Sequence, residues 1–249
     1  MPTDAHVPPP MPPRSRVSDG VAAHIQQEIR RRRLQPGDRI CAERDLQAAT
    51  GVSRAGVRES LRMLEHEGLI RTKTGPGGGI LVGEPAAAPL GRTVEAFRHL
   101  SGTGPETLLD AWFELTVTCT RLAAERAQAH DLVELRRIAD AYRALDFGSA
   151  SFDSVARLNL GFIRRTAGAA HNPILSLFLD ALIDLIYSAA AARPPNLAQR
   201  RELVGVHDGI VQALENGDAD AAVRRMTRHL FAVRTLLSGG SQGTATDPV

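Results

Sequence analysis

Two arginines four residues apart carry the clearest chemistry in the sequence. Arg54 and Arg58 follow Ser53, a residue type that commonly caps the start of a helix. A spacing of four places both side chains on one side of that helix. A guanidinium is a planar fork of donors that matches O6 and N7 of guanine in the major groove of DNA. The pattern therefore favours base reading, and the alternative is a solvated face on which Arg58 and Arg62 share Glu65.

A cluster of glycines follows these arginines in the chain. Gly77, Gly78 and Gly79 have almost no side-chain bulk, so their backbone could approach a phosphate or the minor groove closely. Glycine-rich loops also bind nucleotides, but the strand-loop-helix order that such a loop requires is missing here. We therefore predict the tip of a wing, a hairpin that lies alongside the groove. The alternative is a flexible hairpin turn.

A run of four arginines, residues 30–33, stands at the end of the first predicted helix. Cations at the C-terminus of a helix complement the negative end of its dipole. The run therefore favours a solvated helix end, with phosphate contact as the alternative.

Short helices and a hairpin must position these groups. Val21, Ile25 and Ile29 lie four residues apart and predict a first helix from Ser18 or Asp19 to about residue 34. The other elements expected in this half are helices at residues 43–50 and 54–67, separated by a turn at Gly51, and strands at residues 69–72 and 80–82.

Composition and charge narrow the function classes. Aromatic residues make up 4% of the chain and hydrophobic residues 43%, which favours a core of aliphatic side chains between packed helices. Residues 1–83 hold 13 Arg and Lys against 9 Asp and Glu, whereas the remainder holds 17 against 19. The positive charge therefore coincides with the segment expected to contact DNA. Cys41 and Cys119 form neither a metal-ligand spacing nor a disulfide framework, which predicts a cytoplasmic location.

Membrane and enzyme functions find no support in the sequence. No apolar run reaches the roughly 18 residues of a transmembrane helix, and the proline-rich start lacks the apolar core of a secretion signal. We therefore expect no membrane partner. Motifs for a nucleophile, a zinc-dependent hydrolase or a phosphate loop are missing, so we expect no enzyme.

Residues 21–82 resemble the winged helix-turn-helix of the GntR superfamily of bacterial transcription factors. The resemblance implies that Arg44 on the second helix also contacts DNA. Cys41-Ala42 and Ala55-Gly56 depart from the usual Pro-Ser and Thr-Pro, which affects turn contacts and base preference but leaves the arginines in place. The matching runs are Pro36-Gly37-Asp38-Arg39-Ile40, Glu43-Arg44-x-Leu46, Gly51-Val52-Ser53-Arg54, Val57-Arg58-Glu59-x-Leu61 and Leu64-Glu65-x-Glu67-Gly68-Leu69-Ile70. The DNA-binding residues expected are Arg44, Ser53, Arg54, Arg58, Gly77 and Gly78.

The second half resembles the helical C-terminal domain (FCD-like) of the FadR-type branch of that superfamily. The resemblance rests on Arg121 to Ala127, Phe162, Asn172-Pro173 and the stretch from His207 to His229. It implies a mainly α fold, in which a winged helix-turn-helix precedes an all-α bundle that dimerises and binds a small effector. The domains expected are a disordered proline-rich arm at 1–17, the DNA-binding domain at 18–83, a linker at 84–92, the helical domain at 93–238 and a flexible tail at 239–249.

In that family the bundle often holds a divalent metal through one carboxylate and three histidines. Asn159 and Ile163 stand where the resemblance places an aspartate and a histidine, which leaves His207 and His229 as weak candidate ligands. Two imidazoles are too few for a site that needs about four ligands. We therefore expect neither a divalent metal nor another cofactor.

The effector site also departs from the family pattern. Trp112 stands where the resemblance places an arginine that grips a carboxylate, which favours an amphipathic effector, such as an acyl-CoA. The expected effector residues are Trp112, Asn159, Ile163, His207 and His229, and plain core packing is the alternative for each.

The function expected is a ligand-responsive DNA-binding transcriptional regulator. It would act as a homodimeric repressor that leaves a palindromic operator on double-stranded DNA when a small-molecule effector binds. The alternatives are a metal-assisted sensor of a small organic acid and an architectural DNA-binding protein without an effector.

Overall fold

The chain divides into two compact units, residues 1–89 and 90–249. The structure is a computed structural model that describes residues 14–75, 78–84, 86–192 and 206–238. The predicted tail, Gly77 and most of the predicted arm lie outside the described residues. Within the described ranges, none of the helices combines the length and apolarity needed to span a bilayer.

The first unit packs three helices against a small antiparallel sheet with strand order β1-β3-β2. Ile70 of β2 pairs with Val82 of β3, and Lys73 pairs with Gly79, so these two strands form the hairpin of the predicted wing. The elements are α1 (Arg14–Arg32), β1 (Arg39–Cys41), α2 (Glu43–Thr50), α3 (Arg54–His66), β2 (Ile70–Lys73) and β3 (Gly79–Val82). The third strand, β1, was not predicted, because three residues give too short a period to recognise.

Aliphatic side chains from every element close the core of this unit. Val21 and Ile25 of α1 are buried as their spacing predicts. The other buried members are Ile40, Leu46, Val57, Leu61, Leu64, Ile70, Ile80 and Val82.

The first helix starts earlier than predicted. It begins at Arg14, so the last four residues of the predicted arm are helical and neither Ser18 nor Asp19 caps the helix. The prolines that disfavour helix end at residue 13, and nothing in the sequence after them stops a helix.

The arginine run at the end of α1 is only partly a solvated face. Arg31 pairs with Glu28 over 2.9 and 2.7 Å, as an exposed ion pair does. Arg32 instead donates to the backbone carbonyl oxygens of Ile40, at 2.5 Å, and Arg39, at 3.1 Å. Arg32 therefore ties the end of α1 to β1, a role that sequence spacing alone does not reveal.

A close backbone approach secures the far end of the wing. The amide of Gly83 donates to the carbonyl of Leu69 over 2.9 Å, directly after β3. A Cβ atom on Gly83 would lie well inside van der Waals contact with the carbonyl oxygen of Gly68. Glycine is therefore required at this position by space.

The second unit is a bundle of helices. Its elements are α4 (Ala87–Ser101), which begins before the unit boundary, α5 (Pro105–Arg126), α6 (Ala129–Arg143), α7 (Phe152–Ala169), α8 (Pro173–Ala192), α9 (Val206–Glu215) and α10 (Ala219–Ser238). Because α4 starts at Ala87, much of the predicted linker at 84–92 is helical. The domain bounds themselves stay a prediction.

Helix ends in the bundle are tied by side chains. Ser151 accepts a hydrogen bond from the amide of Ser154 over 3.1 Å and caps α7. The turn between α7 and α8 is held to the start of α6, because His171 Nε2 lies 2.8 Å from an oxygen of Asp131. That carboxylate also accepts from the amide of Gln128 over 3.0 Å. These contacts order the helices around a continuous aliphatic core.

We expect Gly83→Ala to destabilise the first unit by about 1–3 kcal/mol, because the added methyl group must displace the backbone at Gly68. Gly20→Ala is the matched control, since a Cβ there meets nothing within 4 Å and alanine favours the helix. Urea unfolding followed by circular dichroism measures both. Equal stability of the Gly83 variant and the parent would contradict the close approach.

Candidate DNA interface and buried polar cluster

The start of α3 is built as the sequence predicts. Gly51 has φ +67° and ends α2, and Ser53 accepts a hydrogen bond from the amide of Gly56 over 3.2 Å. The predicted N-cap is thereby confirmed. Val57 and Leu61 face the core, so the opposite side of α3 is turned outward.

The outward side of α3 carries Arg54 and Arg58, with 73% and 56% of their side chains exposed. One oxygen of Glu43, the first residue of α2, lies 3.0 Å from Nε of Arg58 and 3.8 Å from Nε of Arg54. Exposed ion pairs of this kind contribute at most about 1 kcal/mol. Both guanidinium groups can therefore leave Glu43 for a phosphate or a base at little cost.

The alternative pairing on α3 does not occur. Glu65 does not pair with Arg58 or Arg62. It accepts hydrogen bonds from the amide and the hydroxyl of Thr72, at 2.8 and 3.0 Å. Arg62 instead forms an ion pair with Glu59, with 3.7 Å between Nη1 and Oε2. Glu65 thus ties α3 to β2 and keeps the wing beside the helix, while Glu43 gathers the arginines. Neither role was predicted from the sequence.

The remaining predicted DNA contacts lie at the surface or at the wing. Arg44 has 88% of its side chain exposed, and its Nε lies 3.4 Å from Oδ1 of Asp45. Gly78 donates its amide to the carbonyl of Gly75 over 2.9 Å. A Cβ there would clash with the carbonyl oxygen of Lys73, so the turn at the wing tip requires glycine. Whether this backbone or Gly77 contacts DNA stays a prediction.

In the bundle, three rings surround the imidazole of His207. The ring of His207 on α9 stacks on Phe162, with centroids 4.2 Å apart, and its other neighbours are Tyr142 at 4.4 Å and His229 at 5.1 Å. Its Nε2 lies 3.0 Å from Oδ1 of Asn159. Three of the predicted effector residues, Asn159, His207 and His229, are therefore buried together in the interior.

This cluster contains buried polar atoms that have no hydrogen-bond partner among the described residues. They are Tyr142 Oη, His207 Nδ1 and both ring nitrogens of His229, and Trp112 Nε1 and Arg165 Nε are further such atoms elsewhere in the bundle. An unsatisfied buried donor or acceptor costs about 1–3 kcal/mol. Native proteins satisfy almost all such groups, with a ligand or ordered water where the protein supplies none. The cluster therefore has the properties of a binding site.

Burial keeps both imidazoles neutral. It lowers the pKa of His229 to about 4, and burial together with the nearby His229 lowers the pKa of His207 well below its ordinary value. Burial likewise raises the pKa of the Tyr142 phenol. None of these groups carries charge at neutral pH.

The residues present do not fit a metal site. His207 uses one ring nitrogen on the amide of Asn159, and the described residues offer no group of three or more His, Cys, Asp or Glu that could hold an ion. Ile163 is fully buried and has no ligating atom, so core packing accounts for it. Its contact with an effector, like that of Trp112, stays a prediction.

Tyr142 was missed by the sequence reasoning. Its position follows from the inward spacing of Leu135, Ala139 and Tyr142 on α6, which predicts a buried ring. The spacing could not show that its hydroxyl group lacks a partner.

Comparison with known proteins identifies both halves. Residues 17–82 match the family "Bacterial regulatory proteins, gntR family", and residues 107–232 match the FCD domain. The chain is similar to the HTH-type transcriptional repressor NanR of Cronobacter sakazakii, at 30% identity over 227 residues, which cover 88% of this chain and 85% of that protein. The NanR repressor of Escherichia coli K12 is 29% identical over 232 residues, which cover 88% and 84%.

Solved structures share the fold. A GntR protein of Streptococcus agalactiae superposes with a TM-score of 0.62 at 19% identity, covering 88% of this chain and 98% of that one. McbR/YncC of E. coli superposes with a TM-score of 0.50 at 17% identity, covering 93% and 99%.

We expect Arg54→Ala and Arg58→Ala each to lower discrimination between specific and nonspecific DNA by about 1–3 kcal/mol, because each loses one bidentate arginine–guanine contact. Both side chains are exposed, so unfolding should change by less than about 0.5 kcal/mol. Fluorescence anisotropy with a promoter fragment measures the affinities. Arg137→Ala, which removes an exposed ion pair from α6, is the control. Parental affinity in both α3 variants would refute the assignment.

Proposed function

The chain belongs to the GntR family of bacterial regulatory proteins and carries the FCD domain, and on this basis we propose that it is a repressor whose buried polar cluster senses the effector. It is a ligand-responsive DNA-binding transcriptional regulator and not an enzyme. The observation that carries the proposal is the contrast between two exposed arginines on a capped helix and the buried polar atoms of Tyr142, His207 and His229 that have no partner among the described residues.

The first unit reads the operator through α3. Arg54 and Arg58 exchange their shared partner Glu43 for base edges, while Arg44 contacts the phosphate backbone. The bond from Thr72 to Glu65 supports this mode, because it keeps the wing in register with α3. A protein that binds an operator must share a compartment with the DNA, and in bacteria this supports a cytoplasmic location.

Two copies act together. One winged unit contacts few base pairs, and a twofold pair on a palindromic operator doubles the number of bases read. We therefore propose a homodimer held by the helical units.

Effector binding controls operator affinity. A ligand that satisfies the buried atoms of Tyr142, His207 and His229 stabilises one arrangement of the bundle. That arrangement lowers operator affinity through the connecting segment at 84–92, by a shift in populations. The acyl-CoA expected from Trp112 stays a prediction, and the unsatisfied atoms favour a smaller, more polar molecule. The same atoms argue against an architectural protein, since simple DNA binding gives no reason to keep them.

Operator binding and release provide the direct test. Anisotropy with fragments of the promoter upstream of the chain's own gene should show saturable binding to one short palindrome, and a metabolite panel should contain a compound that weakens it at least about ten-fold. Analytical ultracentrifugation should show two chains per operator. Binding without sequence preference would support the architectural alternative, and a monomer both free and on DNA would exclude the paired mode.

We expect His229→Leu to raise the stability of the free bundle by about 1 kcal/mol or more, and its Tm by about 2–4 °C, because the variant removes two unsatisfied buried nitrogens. It should also abolish the response to the effector while leaving operator binding intact. Trp112 is the only tryptophan in the sequence, so its fluorescence follows unfolding of this unit. His99→Leu, at an exposed imidazole paired with Glu95, is the control. A lower Tm for His229→Leu would show that His229 is a structural residue.

A further inference from the structure

The unmet hydrogen-bonding capacity of the buried cluster can be counted atom by atom. Oδ1 of Asn159 only accepts, so Nε2 of His207 carries the proton and Nδ1 is left as an acceptor. Trp112 Nε1, an unpartnered buried atom elsewhere in the bundle, only donates. The hydroxyl group of Tyr142 and the neutral ring of His229 each offer both a donor and an acceptor. A partner for this set must itself both donate and accept.

The orientation of these groups is held by packing. The His207 ring lies nearly parallel to Phe162, with 18° between their planes, and Tyr142 and His229 approach it at 58° and 74°. His207 is also bonded to Asn159 across 48 residues of sequence. Its free Nδ1 therefore points in a fixed direction, as selection of a ligand requires.

Among the described residues of the bundle, the buried and half-buried charged side chains already have partners. Buried Asp131 is bonded to His171 and to the amide of Gln128, and Nη2 of half-buried Arg165 lies 3.6 Å from an oxygen of Asp131. Arg225 is half-buried, but its guanidinium donates to the carbonyl of Gly209. Gly209 lies two residues from His207, about 200° around α9, so this cation is directed to another side of the helix.

A carboxylate in this cluster would be a buried charge without a cation, which is strongly unfavourable. A divalent metal ion could supply that cation, but the residues present do not fit one. Asn159 occupies one nitrogen of His207, and within the described part of the chain no carboxylate joins the two imidazoles. The cluster therefore offers neither a cationic side chain nor a metal ion to bind the carboxylate of an organic acid.

We propose that this cluster binds an uncharged ligand that carries both hydrogen-bond donors and acceptors, an amide or a polyol, and that it does so without a metal ion. This inference rests on the proposed function, because the occupant is the proposed effector. Amide and hydroxyl groups both donate and accept, and they match Nδ1 of His207, the hydroxyl group of Tyr142 and the ring nitrogens of His229 without adding charge.

Matched pairs of an acid and its amide test the charge selectivity. Nicotinamide with nicotinate, and lactamide with lactate, differ in charge but hardly in shape. The probe is the indole N–H resonance of Trp112 in the full-length, 15N-tryptophan-labelled protein at neutral pH. We expect at least one amide to shift this resonance saturably, with an affinity at least about ten-fold above that of its acid. His229→Leu should weaken the amide response by at least about ten-fold, and His99→Leu should not.

Three results would overturn the inference. They are an acid that binds as tightly as its amide, a zinc chloride titration that saturates at one ion per chain, and no response to either amide. Operator binding by the unliganded protein is measured separately. Loss of operator binding would count against the proposed function and would leave the charge selectivity of the cluster standing.

Discussion

Hydrogen bonding of polar groups is the constraint that shapes both units of the protein, at helix and strand ends in the first unit and in the buried interior of the second. In the first unit the chain meets the demand itself. Arg32 donates to carbonyl oxygens of β1, Glu65 accepts from Thr72, and Ser53 accepts from the start of α3. The first two bonds each join a helix to a strand, and the third caps α3. The result is a recognition helix and a wing with one mutual orientation.

In the second unit the same demand is left open. The buried threonines there bond locally, since Thr116, Thr120 and Thr166 each donate to the carbonyl four residues earlier in their own helices. The cluster around His207 differs, because four of its atoms have no hydrogen-bond partner among the described residues. Unsatisfied buried groups lower the stability of the bundle, and proteins tolerate such a cost mainly at functional sites.

The two units also differ in the charge of their functional side chains. The arginines of α3 remain exposed and weakly held, so that a polyanion can take them from Glu43. The interior of the bundle carries neutral imidazoles, since burial favours their uncharged form. A phosphate backbone and a small uncharged molecule call for these two opposite environments, and one chain provides both.

The sequence by itself determined the local features of this protein. The spacing of Val21 and Ile25 and the cap at Ser53 follow from interactions within a few residues, which a sequence pattern records directly. The early start of α1 at Arg14, the strand β1 and the helical segment from Ala87 were not predicted, because short elements and helix ends carry weak local signals. Only the tertiary structure decided the partners. Glu43 meets Arg58 across 15 residues, and Asn159 meets His207 across 48, because the packing of distant helices brings them together and no local pattern encodes that contact.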